Sequence, residues 1–386
     1  MSCLPQHCVA LRVVFMDSAV HEGNLRDSRM ISRLKTANFS ILKNAEFNFA
    51  PGLNVITGSN GTGKSHILKL AYTAARWSYE MSLREKRQMR PDKATLQKEL
   101  AGKLVDVFRC DGLGRLSTRG QGVQRTEVDI RFRSKPKCDF SLSFSTKSTT
   151  DAVLDKVPQE FYPDESVFFP TKEMLSMYPG FVSLYDNNAL QIDETYYDLC
   201  KALAKPLSRG PKLAEIRPLL NEVEGILQGQ IELVNDRFYL QLKHGGRFEI
   251  PLVAEGFRKL GAVAYLLANG TVARQSILFW DEPETNLNPA YMVKLARLLV
   301  AIARNNTQVF IATHSLFMVR ELSLLLMSPE WQSVTRMFYA LDIDPVSRGV
   351  RISHGDSAEE IEPIAALDAE IAQSERYIES QPGGVA

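Results

Sequence analysis

The feature that leaves this chain the fewest folding choices lies between residues 53 and 66. A short apolar run, Leu53-Asn54-Val55-Ile56-Thr57, passes straight into Gly58-Ser59-Asn60-Gly61-Thr62-Gly63-Lys64-Ser65 and then into a helical stretch from His66 onward. A glycine-rich octet ending in Lys-Ser becomes an anion cradle when it joins a buried strand to a helix. The glycines let successive N–H groups curl around a β-phosphate with no Cβ in the way, and the helix turns its N-terminal dipole to the same anion. Lys64 brings a mobile positive charge to the β- and γ-phosphates, and the Ser65 hydroxyl is a ligand for Mg²⁺. All eight residues, Gly58, Ser59, Asn60, Gly61, Thr62, Gly63, Lys64 and Ser65, are candidate nucleotide-binding residues.

Two later segments read as buried strands of the same sheet. Ser276-Ile277-Leu278-Phe279-Trp280 is an unbroken apolar run, as central parallel strands are, and it ends in Asp281-Glu282-Pro283-Glu284. Carboxylates at the C-terminal end of such a strand sit where open α/β sheets bind ligands. Asp281 is the candidate to hold Mg²⁺ through water, and Glu282 the candidate to polarise an attacking water. Gln308-Val309-Phe310-Ile311-Ala312-Thr313 is followed at once by His314-Ser315, which sets His314 at the same sheet edge, within reach of a γ-phosphate. An acidic strand end or a lone His is by itself usually solvated or structural. Beside a phosphate loop the functional reading is the stronger one.

These elements together resemble the non-transporter ABC ATPases. Gly58 to Ser65 resembles Walker A, and Ile277 to Glu282 resembles Walker B with its catalytic glutamate. Thr313-His314-Ser315 looks like the switch histidine, and Thr285-Asn286-Leu287-Asn288-Pro289 looks like the D-loop, with Asn286 and Asn288 as its candidate residues. The pattern is similar to the SMC and RecF proteins, the overcoming-lysogenisation-defect (OLD) ATPases and the ATPase subunits of two-gene anti-phage systems such as PARIS and Septu. The runs 281–289 and 313–315 are especially like the OLD and anti-phage branch. The resemblance covers residues 31–73 and 252–341. It implies ATP and Mg²⁺ as cofactors, an α/β P-loop fold with a mixed central sheet and an inserted helical arm, and hydrolysis at a composite site between two copies. It therefore also implies a homodimer or higher homo-oligomer.

One element departs from that family. The Leu-Ser-Gly-Gly signature, which caps the partner's γ-phosphate, is replaced by Leu252-Val253-Ala254-Glu255-Gly256 ahead of an apolar helix. With Gly256 aligned to the second glycine, Ala254 stands at the serine and Glu255 at the first glycine. The hydroxyl contact is lost, while backbone N–H groups and the helix dipole remain for a site in trans.

The expected organisation runs as follows. Residues 1–29 form an N-terminal extension, with Met30 a candidate natural start; 30–80 belong to a first ATPase lobe; 81–250 hold the inserted arm with further strands; 251–345 carry signature, Walker B, D-loop and switch His; 346–386 form an acidic C-terminal segment. Ile31 to Phe39 and Ala45 to Phe49 alternate as a hairpin, and Val167-Phe168-Phe169-Pro170 reads as another buried strand edge, followed by Lys172-Glu173. Between Lys64 and Lys137 eighteen Lys and Arg face eight Asp and Glu. Arg84, Lys86, Arg87, Arg90 and Lys93, on a helix and the loop broken at Pro91, form either a solvated face or a contact for nucleic acid or an acidic partner. From His354 onward eight acidic residues face one Arg, and Ile361, Ile364, Leu367, Ile371 and Ile378 form an apolar helical face that either completes the core or docks another subunit.

The apolar runs fall short of the roughly 18 residues a membrane span needs. Five scattered cysteines lack metal-ligand spacing, which points to a reducing cytoplasm. Every constellation with a chemical rationale falls in the ATP site. The reading is therefore an ATP-hydrolysing switch that dimerises on ATP and controls a separate effector or nuclease protein in anti-phage defence. The alternative is a RecF-like ATPase of DNA repair with DNA as a direct partner. A transporter ATPase is disfavoured by the altered signature.

Overall fold

The computed structural model describes residues 30–380 apart from Gln88 and Ser347, so the extension expected at 1–29 lies outside the described residues. Along the chain run β1 (Ile31–Phe39), β2 (Leu42–Asn48), β3 (Leu53–Gly58), α1 (Lys64–Lys86), α2 (Lys93–Phe108), β4 (Arg125–Phe132), β5 (Phe140–Ser145), β6 (Val153–Lys156), β7 (Ser166–Phe169), α3 (Phe181–Asp186), α4 (Glu194–Leu203) and α5 (Pro211–Leu227). There follow β8 (Gly229–Val234), β9 (Arg237–Leu242), β10 (Arg247–Glu249), α6 (Glu255–Ala268), β11 (Ile277–Asp281), α7 (Pro289–Arg304), β12 (Gln308–Thr313), α8 (Leu316–Met327), β13 (Arg336–Ile343), β14 (Val350–Gly355) and α9 (Ala365–Glu379).

The central sheet has the order β14-β13-β3-β12-β11-β7. Its strands from β13 to β7 pair in parallel and β14 pairs antiparallel at the edge, so the fold is α/β with a mixed sheet. β3, β7, β11 and β12 are buried along their whole length because both faces of the sheet are covered. Side chains still alternate: Leu278 and Trp280 enter the core shared with α6, α7 and α8, whereas Ile277 and Phe279 enter the core shared with α1 and α2. An apolar face toward each core is why these strands read as continuous hydrophobic runs.

The N-terminal hairpin forms, with β2 starting at Leu42 rather than Ala45 because buried Leu42 pairs with Phe39. Residues beyond α2 extend it: β4, β5 and β6 join in a five-stranded antiparallel sheet of order β2-β1-β4-β5-β6, packed over α1 and α2 in the second core. The Gln308 amide stitches this layer to the central sheet, accepting from Ile31 N and donating to the carbonyls of Ile31 and Ala50. α5 and the small β8-β9-β10 sheet pack on α6 from the other side.

The acidic C-terminal segment corrects one expectation in part. Ile361 and Ile364 are buried in the first core, but they precede α9, and α9 itself buries no residue; Ile371 and Ile378 are exposed. Among the described residues no helix is long and apolar enough to cross a membrane.

Candidate functional site

Strand β3 delivers the phosphate loop to the C-terminal edge of the sheet. Gly58 has φ +147°, and a Cβ there would stand 2.3 Å from the Leu341 carbonyl oxygen of β13, so the strand can leave the sheet at this point only as glycine. The loop is braced internally by the Thr62 hydroxyl, which donates to Ser59 O at 2.8 Å. α1 begins without a side-chain cap, which leaves its first N–H groups pointing into the loop. Lys64, the first residue of α1, is buried, and its ammonium donates to Gly58 O at 2.8 Å and Ser59 O at 3.0 Å. Burial pushes its pKa down, opposed by the carboxylates of Asp281, Glu282 and Glu284.

Those carboxylates arrive by strand register. Asp281 of β11 pairs with Ala312 of β12, and Ala312 pairs with Ile56 of β3, so the three strands end within two residues of one level. Asp281 is buried and accepts a hydrogen bond from the Ser65 hydroxyl; burial raises its pKa. Chain torsion then separates Glu282 from it. Glu282 has φ +50°, a conformation that costs a non-glycine residue on the order of 1–3 kcal/mol and clusters at functional sites. Its N–H is held by Ala312 O at 2.8 Å, and its side chain stays 31% exposed. His314, 54% exposed, brings Nδ1 to 3.3 Å from Glu282 Oε1.

The geometry adds Glu284, whose role the sequence does not reveal. It is 4% exposed, accepts from the Thr313 hydroxyl, and has Oε1 4.0 Å from His314 Nδ1. Burial raises its pKa. A third acid in an acidic turn looks solvated on paper, and no local signal marks it as the one that turns inward.

The D-loop and signature candidates meet each other. Asn286 has φ +66°, and Asn288 accepts from Tyr291 N at 3.1 Å as the N-cap of α7, so within this chain Asn288 serves the helix. α6 starts at Glu255, with Ala254 as a cap residue lacking a side-chain hydrogen bond. A Cβ on Gly256 would fall 2.4 Å from Leu287 Cδ2 and 2.8 Å from Asn286 O, which requires glycine where α6 crosses the turn. Arg258 clamps the same end, donating to Val253 O at 2.6 Å and pairing with Glu173 at 2.7 Å.

The site thus sets a buried cation, a hydroxyl–carboxylate pair of hard oxygen donors, and a half-exposed carboxylate beside an imidazole along one sheet edge. The Ser65–Asp281 pair fits a small divalent cation such as Mg²⁺.

A family model described as an AAA domain, putative AbiEii toxin of a type IV toxin–antitoxin system, matches residues 116–320, and a second AAA-domain model matches residues 33–151. No curated protein matches the chain. Among solved structures, the SMC head bound to the C-terminal winged-helix domain of ScpA is similar over 86% of this chain and 98% of that one, with 13% identity and a TM-score of 0.50. The SMC head domain from Thermotoga maritima is similar over 84% and 98%, with 13% identity and a TM-score of 0.43. The Pyrococcus furiosus SMC head with an extended coiled coil, bound to the C-terminal domain of ScpA, is similar over 90% and 99%, with 12% identity and a TM-score of 0.47.

Proposed function

The chain belongs to the AAA-domain family described as a putative AbiEii toxin of type IV toxin–antitoxin systems and is an ATP hydrolase with a fold of the SMC-head type, and from that premise we propose that it works as a nucleotide-gated switch made of two copies. The observation that carries the reading is the convergence of Lys64, Ser65, Asp281, Glu282 and His314 at the nearly level ends of three adjacent parallel strands. In this reading the loop amides of 58–63, the α1 dipole and Lys64 hold the triphosphate. Ser65 and Asp281 would hold Mg²⁺, which would supply charge neutralisation to the bound triphosphate. Glu282 accepts the proton of the attacking water, and the His314 imidazole holds the γ-phosphate side of the site against it.

Each copy offers the N-terminus of α6, with the backbone of Ala254, Glu255 and Gly256, to the partner's γ-phosphate in an isologous pairing. ATP closes the pair, hydrolysis opens it, and a separate effector protein responds to the difference. The toxin–antitoxin description of the family and the OLD-like runs at 281–289 and 313–315 support a role in anti-phage defence. A second reading, a RecF-like ATPase acting on DNA, is favoured by Lys86, Arg87 and Lys93. These make no ion pair among the described residues, whereas Arg84 and Arg90 are paired with Glu99 and Glu85.

Light scattering of the Glu282→Gln variant with ATP and Mg²⁺ tests the switch: a stable dimer is expected, and a monomer that binds ATP refutes it. Salt-dependent binding of a duplex by that dimer, lost when Lys86, Arg87 and Lys93 are changed together to Gln, would select the second reading.

A further inference from the structure

At the junction of α6 with the turn after β11, two buried groups of opposite charge are incompletely satisfied, one with no hydrogen bond and the other with one carboxylate oxygen unpaired. Lys259, in the second turn of α6, is 3% exposed, and its Nζ has no hydrogen-bond partner. Glu284 accepts from Thr313 through Oε1, while its Oε2 is buried without a partner. The carboxylates around Lys259 are those of Glu255, Glu284, Glu282 and Glu173, which favour its charged form against burial. Glu173 is already engaged with Arg258, and Glu282 lies beside His314. Glu255, one turn earlier on α6, is only partly buried, so Glu284 Oε2 is the fully buried acceptor with capacity to spare.

Such an arrangement is unfavourable for a purely structural element. A buried ammonium without a full set of partners is destabilising, and apolar residues of similar volume commonly replace buried ion pairs with no loss of stability or with a gain. The same junction is mechanically tight. Gly256 leaves no room between α6 and Asn286–Leu287, and the Arg258 clamp ties the helix start to Glu173. A small displacement of the α6 start is thereby transmitted to the turn that carries Glu282 and Glu284.

We propose that Lys259 is a positioning residue for ATP hydrolysis: when the α6 N-terminus engages the partner copy's γ-phosphate, the Lys259 ammonium closes on Glu284 Oε2 and, through the Glu284–Thr313 bond, sets Glu282 and His314 of its own chain. The inference rests on the two-copy reading above and deepens it. Each copy's grip on its partner's nucleotide then switches on its own catalytic turn, so the two sites are coupled through α6.

The test combines steady-state ATPase kinetics, thermal unfolding and light scattering on Lys259→Met, Lys259→Arg, Glu284→Gln and the Lys259→Met/Glu284→Gln pair. Lys259→Met is expected to unfold at the same or a higher temperature than the unaltered chain. Its kcat should fall at least about tenfold while KM for ATP stays within about threefold. Lys259→Arg should restore most of the turnover, and the double variant should be no slower than the slower single one. A kcat within twofold of the unaltered chain in Lys259→Met, or additive losses in the double variant, overturns the relay. A lowered unfolding temperature with kcat and KM changing together gives Lys259 a structural role and also overturns it. If Lys259→Met fails to fold, Glu284→Gln decides, and turnover unchanged there is equally decisive. Failure of the two-copy reading shows separately: the unaltered chain hydrolyses ATP while scattering as a monomer, which removes the trigger whatever Lys259 does.

Discussion

Replacing Lys64 by Ala separates the nucleotide-binding role of the loop from its folding. Lys64 is buried, donates to two loop carbonyls at 2.8 and 3.0 Å, and faces three carboxylates. Truncation removes two charge-assisted hydrogen bonds, each about 1.5–3 kcal/mol. It also removes a buried ammonium whose desolvation penalty is about several kcal/mol. These two contributions oppose each other, so the stability change is expected to stay within about 1 kcal/mol, or a Tm shift of about 3 °C or less. No such cancellation applies to ATP. The phosphates lose the ammonium's charge-assisted contacts, and a loss of about 3 kcal/mol lowers affinity about 100-fold. Titration calorimetry with ATP and Mg²⁺ reads the affinity, and thermal unfolding with and without ATP reads both quantities. At about 100 Kd of ATP the unaltered chain gains about 2.7 kcal/mol of stability, while the variant at that concentration gains only about 0.4 kcal/mol. ATP affinity within threefold of the unaltered chain would refute the assignment. A fall in Tm of more than about 10 °C without ATP would instead show that the Lys64 bonds are chiefly a brace for the fold.

Glu282→Gln is expected to bind ATP with unchanged affinity and to lose at least about 100-fold in kcat, since the amide cannot take the proton of water; single-turnover kinetics with turnover within twofold would remove Glu282 from that role. His314→Ala should lower kcat by about tenfold, a milder loss because Glu282 keeps its hold on Ala312 O through the backbone, and the same kinetics check it. Stability should also depend on pH through Glu194, whose carboxyl burial pushes up to about 7 despite the ammonium of Lys103. The raised group binds its proton in the folded state, so its contribution is complete below about pH 4.5 and is lost as pH rises through about 7. A loss on the order of 2–3 kcal/mol over that window should be absent in Glu194→Gln, and parallel Tm-versus-pH curves for the two proteins would contradict it.

Much of the fold is legible in short stretches. The strand–loop–helix at 53–66 reads directly because each residue type in it answers a local demand: apolar side chains for a strand buried on both faces, glycine where backbone must approach backbone, and a helix start left open. The runs at 277–281 and 308–313 read as central strands for the same reason, and the N-terminal hairpin reads from its alternation. The joining of β4, β5 and β6 to that hairpin does not read, since strand order depends on pairing partners about ninety residues apart, such as Ala37 with Glu127. The face of α9 reads equally as core or as docking surface, because helical spacing reports amphipathicity, whereas burial needs a neighbour, and within this chain none covers Ile371 and Ile378 among the described residues.

The candidate site divides in the same way. Lys64, Ser65, Asp281, Glu282 and His314 can be picked out by residue type and by position at strand ends. Their common sheet edge follows from those positions, but their mutual distances do not, because these depend on the parallel register that sets Asp281, Ala312 and Ile56 level across three strands separated widely in sequence. Glu284 and Lys259 are harder still. Each is a charged residue in a charged neighbourhood, and only the close crossing of α6 over the turn after β11, with Gly256 against Asn286 and Leu287, takes both out of water. Local chemistry is written in local sequence, but the dielectric around a charge is made by whatever packs on it, and that is a property of the folded chain.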